Sequence, residues 1–187
     1  MNDYEKASKA WLRYCSDDKD DAYDGFCSLK YLADEGNAEA QYSVGCVYKD
    51  NEGVVECDFK KSEAYFRKAA EQGHVKAQQA LGRLLYEFHP LFCGIDGDYS
   101  ESAKWTRKAA EQDDWMAQSL LGSMYQIGCG VPKDEDKAMY WYGRAARYGD
   151  RIAQKVLRNK FRCQHCGGFF KGFFNLTCEN CGGKKDY

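Results

Sequence analysis

Three stretches of this chain are near copies of one another, and that repetition limits the fold more than any other feature. Residues 62–82 read S-E-A-Y-F-R-K-A-A-E-Q-G-H-V-K-A-Q-Q-A-L-G, and residues 102–122 read S-A-K-W-T-R-K-A-A-E-Q-D-D-W-M-A-Q-S-L-L-G. From Ala138 the pattern returns as A-M-Y-W-Y-G-R-A-A-R-Y-G-D-R-I-A-Q. Self-similarity at a period of roughly 20–50 residues marks a stacked array, in which each unit buries its apolar face only against its neighbours.

The copies can be put in register by counting. Asp58, Asp98 and Asp134 each open a helical pattern, and Gly82 and Gly122 follow the first two by 24 residues. Counting back 24 from Gly45 reaches Asp21, and counting forward 24 from Asp134 reaches Arg158. The interval from each Gly to the next Asp varies instead, at 13, 16 and 12 residues. Length variation belongs in loops, where it costs little. The sequence therefore predicts a fixed unit of helix B, short turn and helix A, with variable loops between units.

Within helix A, Ala40, Val44 and Tyr48 share one face, as do Ala77, Leu81 and Leu85, and Ala117, Leu121 and Tyr125. A glycine inside a helix costs about 1 kcal/mol, so its recurrence one residue after the second of these positions predicts close approach of helix A to helix B. Helix B opens on an Asp that can cap free N–H groups. Tyr65, Trp105 and Trp141 recur in it, each followed by a small pair (Ala69-Ala70, Ala109-Ala110, Ala145-Ala146). A large side chain then a small pair predicts interlocking core packing. Gly73 and Gly149 read as left-handed helix stops, with Asp113 in the middle copy.

The edges are less regular. Tyr4 to Cys15 reads as a short helix with Ala7, Trp11 and Tyr14 near one face, followed by a polar loop, S-D-D-K-D-D, at residues 16–21. Asp21 to Glu35 reads as a helix B stopped by Gly36, and Ile152 to Phe161 as a lone helix A. The expected organisation is capping helices over 1–36 and an array over 37–161. Its repeats lie at about 37–76, 77–116 and 117–152, with a final helix at 153–161 and a separate unit at 162–187.

That last unit holds Cys163-Gln-His-Cys166-Gly-Gly and Cys178-Glu-Asn-Cys181-Gly-Gly. Two CxxC turns bring four thiolates to one tetrahedral metal, so Cys163, Cys166, Cys178 and Cys181 are expected to hold one structural zinc ion in a zinc ribbon. An all-cysteine site leaves no open position for catalysis. Phe169, Phe170, Phe173 and Phe174 lie between the knuckles, around a hairpin tip expected at Lys171-Gly172. Their expected place is against the last helix of the array; contact with a partner or with bases is the alternative.

Charge is nearly balanced, with 27 basic and 29 acidic side chains among 187 residues, which argues against a broad nucleic-acid or membrane surface. No run of about 18 apolar residues predicts a membrane span, and M-N-D-Y-E-K-A-S-K-A-W lacks the apolar core of a secretory signal. Cys15, Cys27, Cys46, Cys57, Cys93 and Cys129 do not recur at one repeat position, so free thiols and a cytoplasmic location are expected.

The combination AQ-x-x-LG-x-x-Y, G-x-GV-x-x-D and A-x-x-W-Y-x-x-AA-x-x-G, best seen from Ala117 to Asp150, resembles the Sel1-like repeat, a relative of the tetratricopeptide repeat. The resemblance covers about residues 21–161. It departs at 87–97, where the loop is expanded and lacks GxGV, and at Glu52-Gly53-Val54, which lacks the earlier Gly. It implies an all-α, right-handed α-α superhelix and an adaptor role in assembly or signalling.

No catalytic constellation is present, and the three histidines, His74, His89 and His165, are scattered. A non-enzymatic scaffold is therefore expected, with helices A lining a concave face that takes a peptide or protein segment. Its contact positions would be Tyr42, Cys46 and Lys49, then Gln79, Arg83 and Tyr86, then Ser119, Ser123 and Gln126. Nucleic-acid binding through the zinc ribbon is the alternative; neither a small-molecule substrate nor a membrane is indicated.

Overall fold

The computed structural model describes residues 3–50, 55–87 and 99–160, and the backbone of 170–171 and 177–178. The helices are α1 (Asp3–Tyr14), α2 (Lys19–Asp34), α3 (Ala38–Lys49), α4 (Phe59–Glu71) and α5 (Val75–Glu87). They continue with α6 (Tyr99–Glu111), α7 (Trp115–Ile127), α8 (Glu135–Arg147) and α9 (Arg151–Lys160). Odd-numbered helices are type A and even-numbered ones type B. Each packs chiefly on its sequence neighbours, and α1 also touches α3, as α5 touches α7. The result is an all-helical solenoid among the described residues, apart from one short strand pair.

Side-chain caps set the helix starts. Asp58 accepts from the Lys61 amide at 3.0 Å and Asp134 from the Lys137 amide at 2.9 Å, as expected of them. Asp98 lies outside the described residues. Asp21 is not a cap: Asp18 accepts from the amides of Asp20 and Asp21, and α2 begins at Lys19. The acidic run offers several carboxylates, and the one directly before Lys19 takes the cap. A-type helices have caps that counting did not find: Asn37, Asp114 and Asp150 each accept an amide N–H three residues on. In α5 this place belongs to His74, whose Nδ1 accepts from the Ala77 amide at 3.1 Å.

The turns from B to A are closed by Gly73 and Gly149, both at φ 88°, and by Asp113 at φ 65°. The first two are the expected left-handed stops. Asp113 takes the same conformation despite its Cβ, and its carboxylate pairs with Arg144 of α8.

Core positions follow the helical count. Ala40, Val44, Ala77, Leu81, Ala117 and Leu121 are fully buried, and Tyr48, Leu85 and Tyr125 nearly so. The helix-A glycines meet helix B as expected. A Cβ on Gly45 would sit 2.6 Å from the Phe66 ring, and one on Gly122 would sit 2.9 Å from the Tyr142 ring. On Gly82 it would lie 3.0 Å from the Thr106 backbone nitrogen and collide with the Thr106 hydroxyl. The facing residue is thus the one after Tyr65, Trp105 and Trp141. It is also the more buried one, at 0% for Phe66, 0% for Thr106 and 2% for Tyr142.

A hydrogen-bonded ladder joins the turns. The glutamine of each AQ pair donates to the carbonyl of an alanine eight residues earlier: Gln41 to Ala33, Gln78 to Ala70, Gln118 to Ala110 and Gln154 to Ala146, at 3.0–3.2 Å. Gln72 Nε2 then donates to Gln41 Oε1, and Gln112 Nε2 to Gln78 Oε1, each at 2.8 Å. In the third copy Tyr148 stands where Gln72 and Gln112 stand, and Gln118 Oε1 is buried with no hydrogen-bond partner among the described residues. Serine hydroxyls tie B to A as well: Ser62 donates to the Gly45 carbonyl at 2.8 Å and Ser102 to that of Gly82 at 2.6 Å.

Two short strands follow α9, β1 (Phe170–Lys171) and β2 (Thr177–Cys178), antiparallel with Phe170 opposite Cys178 and Lys171 opposite Thr177. Lys171, expected at a hairpin tip, is instead paired within β1, and Gly172 lies outside the described residues.

Candidate binding groove

The nine expected contact residues fall in three environments. Tyr42, Cys46 and Lys49 of α3 come together with Gln79 and Arg83 of α5 around a small cleft of about 50 Å³. Tyr86 is half-buried and stacks edge-on against Tyr99. Ser123 and Gln126 of α7 are half-buried, and Gln126 accepts from the Tyr142 hydroxyl at 3.0 Å. Gln79 and Ser119 are 9% and 8% exposed, so they offer little to a ligand. Type A helices lean on one another as well as on type B, which covers positions that a single helical wheel leaves open.

Two larger cavities continue the α3–α5 cleft. One, of about 500 Å³, is lined by Trp11 and Leu12 of α1, Glu39, Tyr42, Cys46 and Asp50 at α3, and Lys76 of α5. The other, of about 770 Å³, runs from Trp11, Cys46 and Asp50 to Tyr14, Asp17 and Lys19. Cys46 lines all three, so they lie side by side along α1, α3 and α5.

The chemistry of the floor is uncharged. Burial pushes the Tyr42 phenol and the Cys46 thiol up, and the two side chains interact. Both stay protonated at neutral pH, so Cys46 is an inert lining residue, not a nucleophile. Tyr42 is held flat against His74, with ring centroids 5.1 Å apart and 29° between planes. Since His74 Nδ1 accepts from Ala77, its Nε2 carries the proton and donates to Glu39 Oε2 at 3.0 Å. The rim is mixed in charge: Lys49 pairs with Asp50 at 2.9 Å and Arg83 lies 3.8 Å from Glu87.

Counting along helix A found Tyr42, Cys46, Lys49 and Arg83 but not the wall supplied by Trp11 and Leu12. Leu12 is 72% exposed. The signal was present in the apolar residues of α1 beyond those needed for its own core face. The expected zinc ligands Cys163, Cys166 and Cys181 lie outside the described residues, and Cys178 is described in its backbone alone. Cys93 lies outside them too; among the described residues Cys15, Cys27, Cys46 and Cys129 are in no disulfide, in line with the expectation. Among the described residues no group of His, Cys, Asp or Glu is arranged to hold a metal ion, and no helix is long and apolar enough to cross a membrane.

The fold defines a helical-repeat protein. The chain belongs to the Sel1 repeat family, which matches residues 38–74, 75–114 and 115–150. Proteins of this family typically mediate protein–protein interaction. Among solved structures, the chain is similar to c5321, a protective antigen of uropathogenic Escherichia coli strains displaying an SLR fold. That match has 30% identity and a TM-score of 0.71, over 86% of this chain and 36% of that one. It is also similar to a Sel1 repeat protein from Oxalobacter formigenes, with 28% identity and a TM-score of 0.72, over 86% of this chain and 65% of that one. The chain thus spans about a third of the first protein and just under two thirds of the second. No curated protein matches it.

Proposed function

We propose that this chain is a non-enzymatic adaptor that holds a peptide or protein segment in the groove across α1, α3 and α5, on the concave side of the solenoid. The observation that carries this reading is that three cavities share Cys46, with an uncharged aromatic floor and a rim of both charges. Such a lining suits a mixed apolar and polar segment; one sign of charge would dominate a nucleic-acid site. Tyr42, Cys46, Lys49 and Arg83 are the expected contacts, joined by Trp11 and Leu12.

The four cysteines Cys163, Cys166, Cys178 and Cys181 fit one structural zinc ion. The strand pairing supports the fit, because it sets Cys178 opposite Phe170, four residues past Cys166. Zinc there would supply folding energy that so short a segment lacks. A cytoplasmic location belongs to this same reading, since zinc thiolates and free thiols both persist under reducing conditions.

Peptides selected from a displayed library against the wild-type protein test the groove. They should bind a Leu12→Asp/Arg83→Glu double variant at least about tenfold more weakly, equivalent to about 1.4 kcal/mol. Leu12 is exposed, and the like-charge pair that Arg83→Glu makes with Glu87 costs only about 0.2–0.5 kcal/mol, so the melting temperature should move little. Equal binding to the variant would remove the groove from consideration. Salt-sensitive retention of single-stranded DNA or RNA, lost on changing Lys171, Lys184 and Lys185, would instead favour the ribbon as the binding module.

A further inference from the structure

Helix α9 repeats the A pattern, yet its exposed face is unfinished. Ala153 is fully buried, matching Ala40, Ala77 and Ala117. Leu157 matches Val44, Leu81 and Leu121, but those are 0% exposed and Leu157 is only half-buried. Gln154 is exposed, whereas Gln41, Gln78 and Gln118 are 4%, 4% and 0% exposed. Among the described residues the extensive packing of α9 is on α8 alone. In every earlier unit the matching leucine or valine is covered by the B helix that follows.

A further B helix cannot take that place. Arg158 stands where Gly45, Gly82 and Gly122 stand, and at those glycines even a single Cβ would strike the next helix. Whatever covers Leu157 must stay further from the α9 axis than a helix does in the earlier units. The chain that runs on from Lys160 suits this need. It starts with Phe161, at the register position of Tyr48, Leu85 and Tyr125, and carries Phe169, Phe170, Phe173 and Phe174. Its described backbone, β1 and β2, is extended and not helical.

We infer that residues 161–187 fold back over the open face of α9 and close the array there, their phenylalanines covering Leu157 and Val156. The inference rests on the zinc reading only for what holds the segment in shape. Charge does not draw the two together, since α9 presents Arg151, Lys155 and Arg158 and the segment is itself slightly basic. The contact is therefore apolar and insensitive to salt.

Hydrogen exchange on the full chain, with metal content measured alongside, tests this. Amides of α9 should be protected in the intact protein. They should exchange at least about tenfold faster after chelation, in a variant with Phe173 and Phe174 changed to Ser, and in Leu157→Ser, with α3–α5 unchanged. Leu157→Ser leaves the segment itself intact, but Leu157 also packs against the core of α7 and α8, so in this variant docking is read from the amides of 161–187, which should exchange faster along with α9. One zinc per chain with α9 unaffected by all three changes would overturn the docking and leave the metal site standing. No bound zinc, but faster α9 exchange in Leu157→Ser and in the Phe variant, would sink the metal reading and support the docking. Protection of α9 that rises with protein concentration, together with a dimer mass, would make a second copy the occupant and overturn it.

Discussion

Gln118 shows what a single residue can cost an otherwise regular array. Its side chain is fully buried and its Nε2 is engaged, but its Oε1 lacks the donor that Gln72 and Gln112 give to Gln41 and Gln78. A buried acceptor left unmatched costs about 1–3 kcal/mol, more than an ordinary hydrogen bond contributes. Tyr148→Gln restores the residue found in the other copies. It should raise stability by about 1 kcal/mol in urea unfolding, with no change in the slope. An unchanged midpoint would mean that Gln118 Oε1 is satisfied in solution. The recurring AQ pair was visible in the sequence, but its role was not. The bond crosses a turn to a carbonyl eight residues back, and side-chain periodicity says nothing about backbone acceptors.

At the scale of the elements, the spacing between A and B helices is set by what faces each glycine. Alanine gains about 1 kcal/mol over glycine in helix propensity, so a glycine-to-alanine change destabilises only where packing strain exceeds that gain. At Gly45 and Gly122 the obstacle is an aromatic ring, which can tilt. At Gly82 it is the Thr106 backbone, which cannot move without moving α6. Overpacking of this kind costs about 1–3 kcal/mol, so Gly82→Ala should lose the most of the three, by about 1–2 kcal/mol net. Thermal unfolding of the three single variants checks the order; equal losses would contradict it. The close approach was legible from the recurring Gly. The residues that meet it were not, because Phe66, Thr106 and Tyr142 differ in size and chemistry and leave no periodic trace. The aromatic row beside them drew attention instead, and it is less buried at Tyr65.

For the whole molecule, neighbouring units are coupled by polar contacts as well as by the core. Arg67 of α4 bonds both Glu63 and Glu101, the latter in α6, and Trp105 donates to Glu101 at 3.2 Å. These contacts, the Arg67 bond first, hold the Glu101 carboxyl below the usual carboxylate range. A depressed folded value means the unfolded chain binds the proton more readily. The stabilisation is therefore complete above about pH 4.3, the ordinary glutamate value, and is lost as pH falls through the lower folded value. Glu101→Gln should lower the melting temperature at pH 7 and flatten its acid dependence, so that the two proteins converge once pH has fallen below the folded value. Parallel curves would mean the ion pair contributes nothing. The fixed B-turn-A unit, the core rows and the helix stops were all legible in the sequence. The groove was legible on its α3 and α5 sides only, since it forms between helices of different units and no single-helix pattern describes it. The start of α2 was misplaced for a similar reason, because exact register does not extend to an edge unit with several capping carboxylates.

A stack of identical units contains no instruction to stop: each new pair leaves the same surface that accepted it. Arg158 is where this chain breaks that symmetry. Where Gly45, Gly82 and Gly122 leave room for the next helix, the arginine side chain would deny a further pair its seat. Replacing Arg158 with glycine and grafting a further B-turn-A unit behind it should give a longer rod that melts higher, whereas the same graft behind the arginine should hang loose.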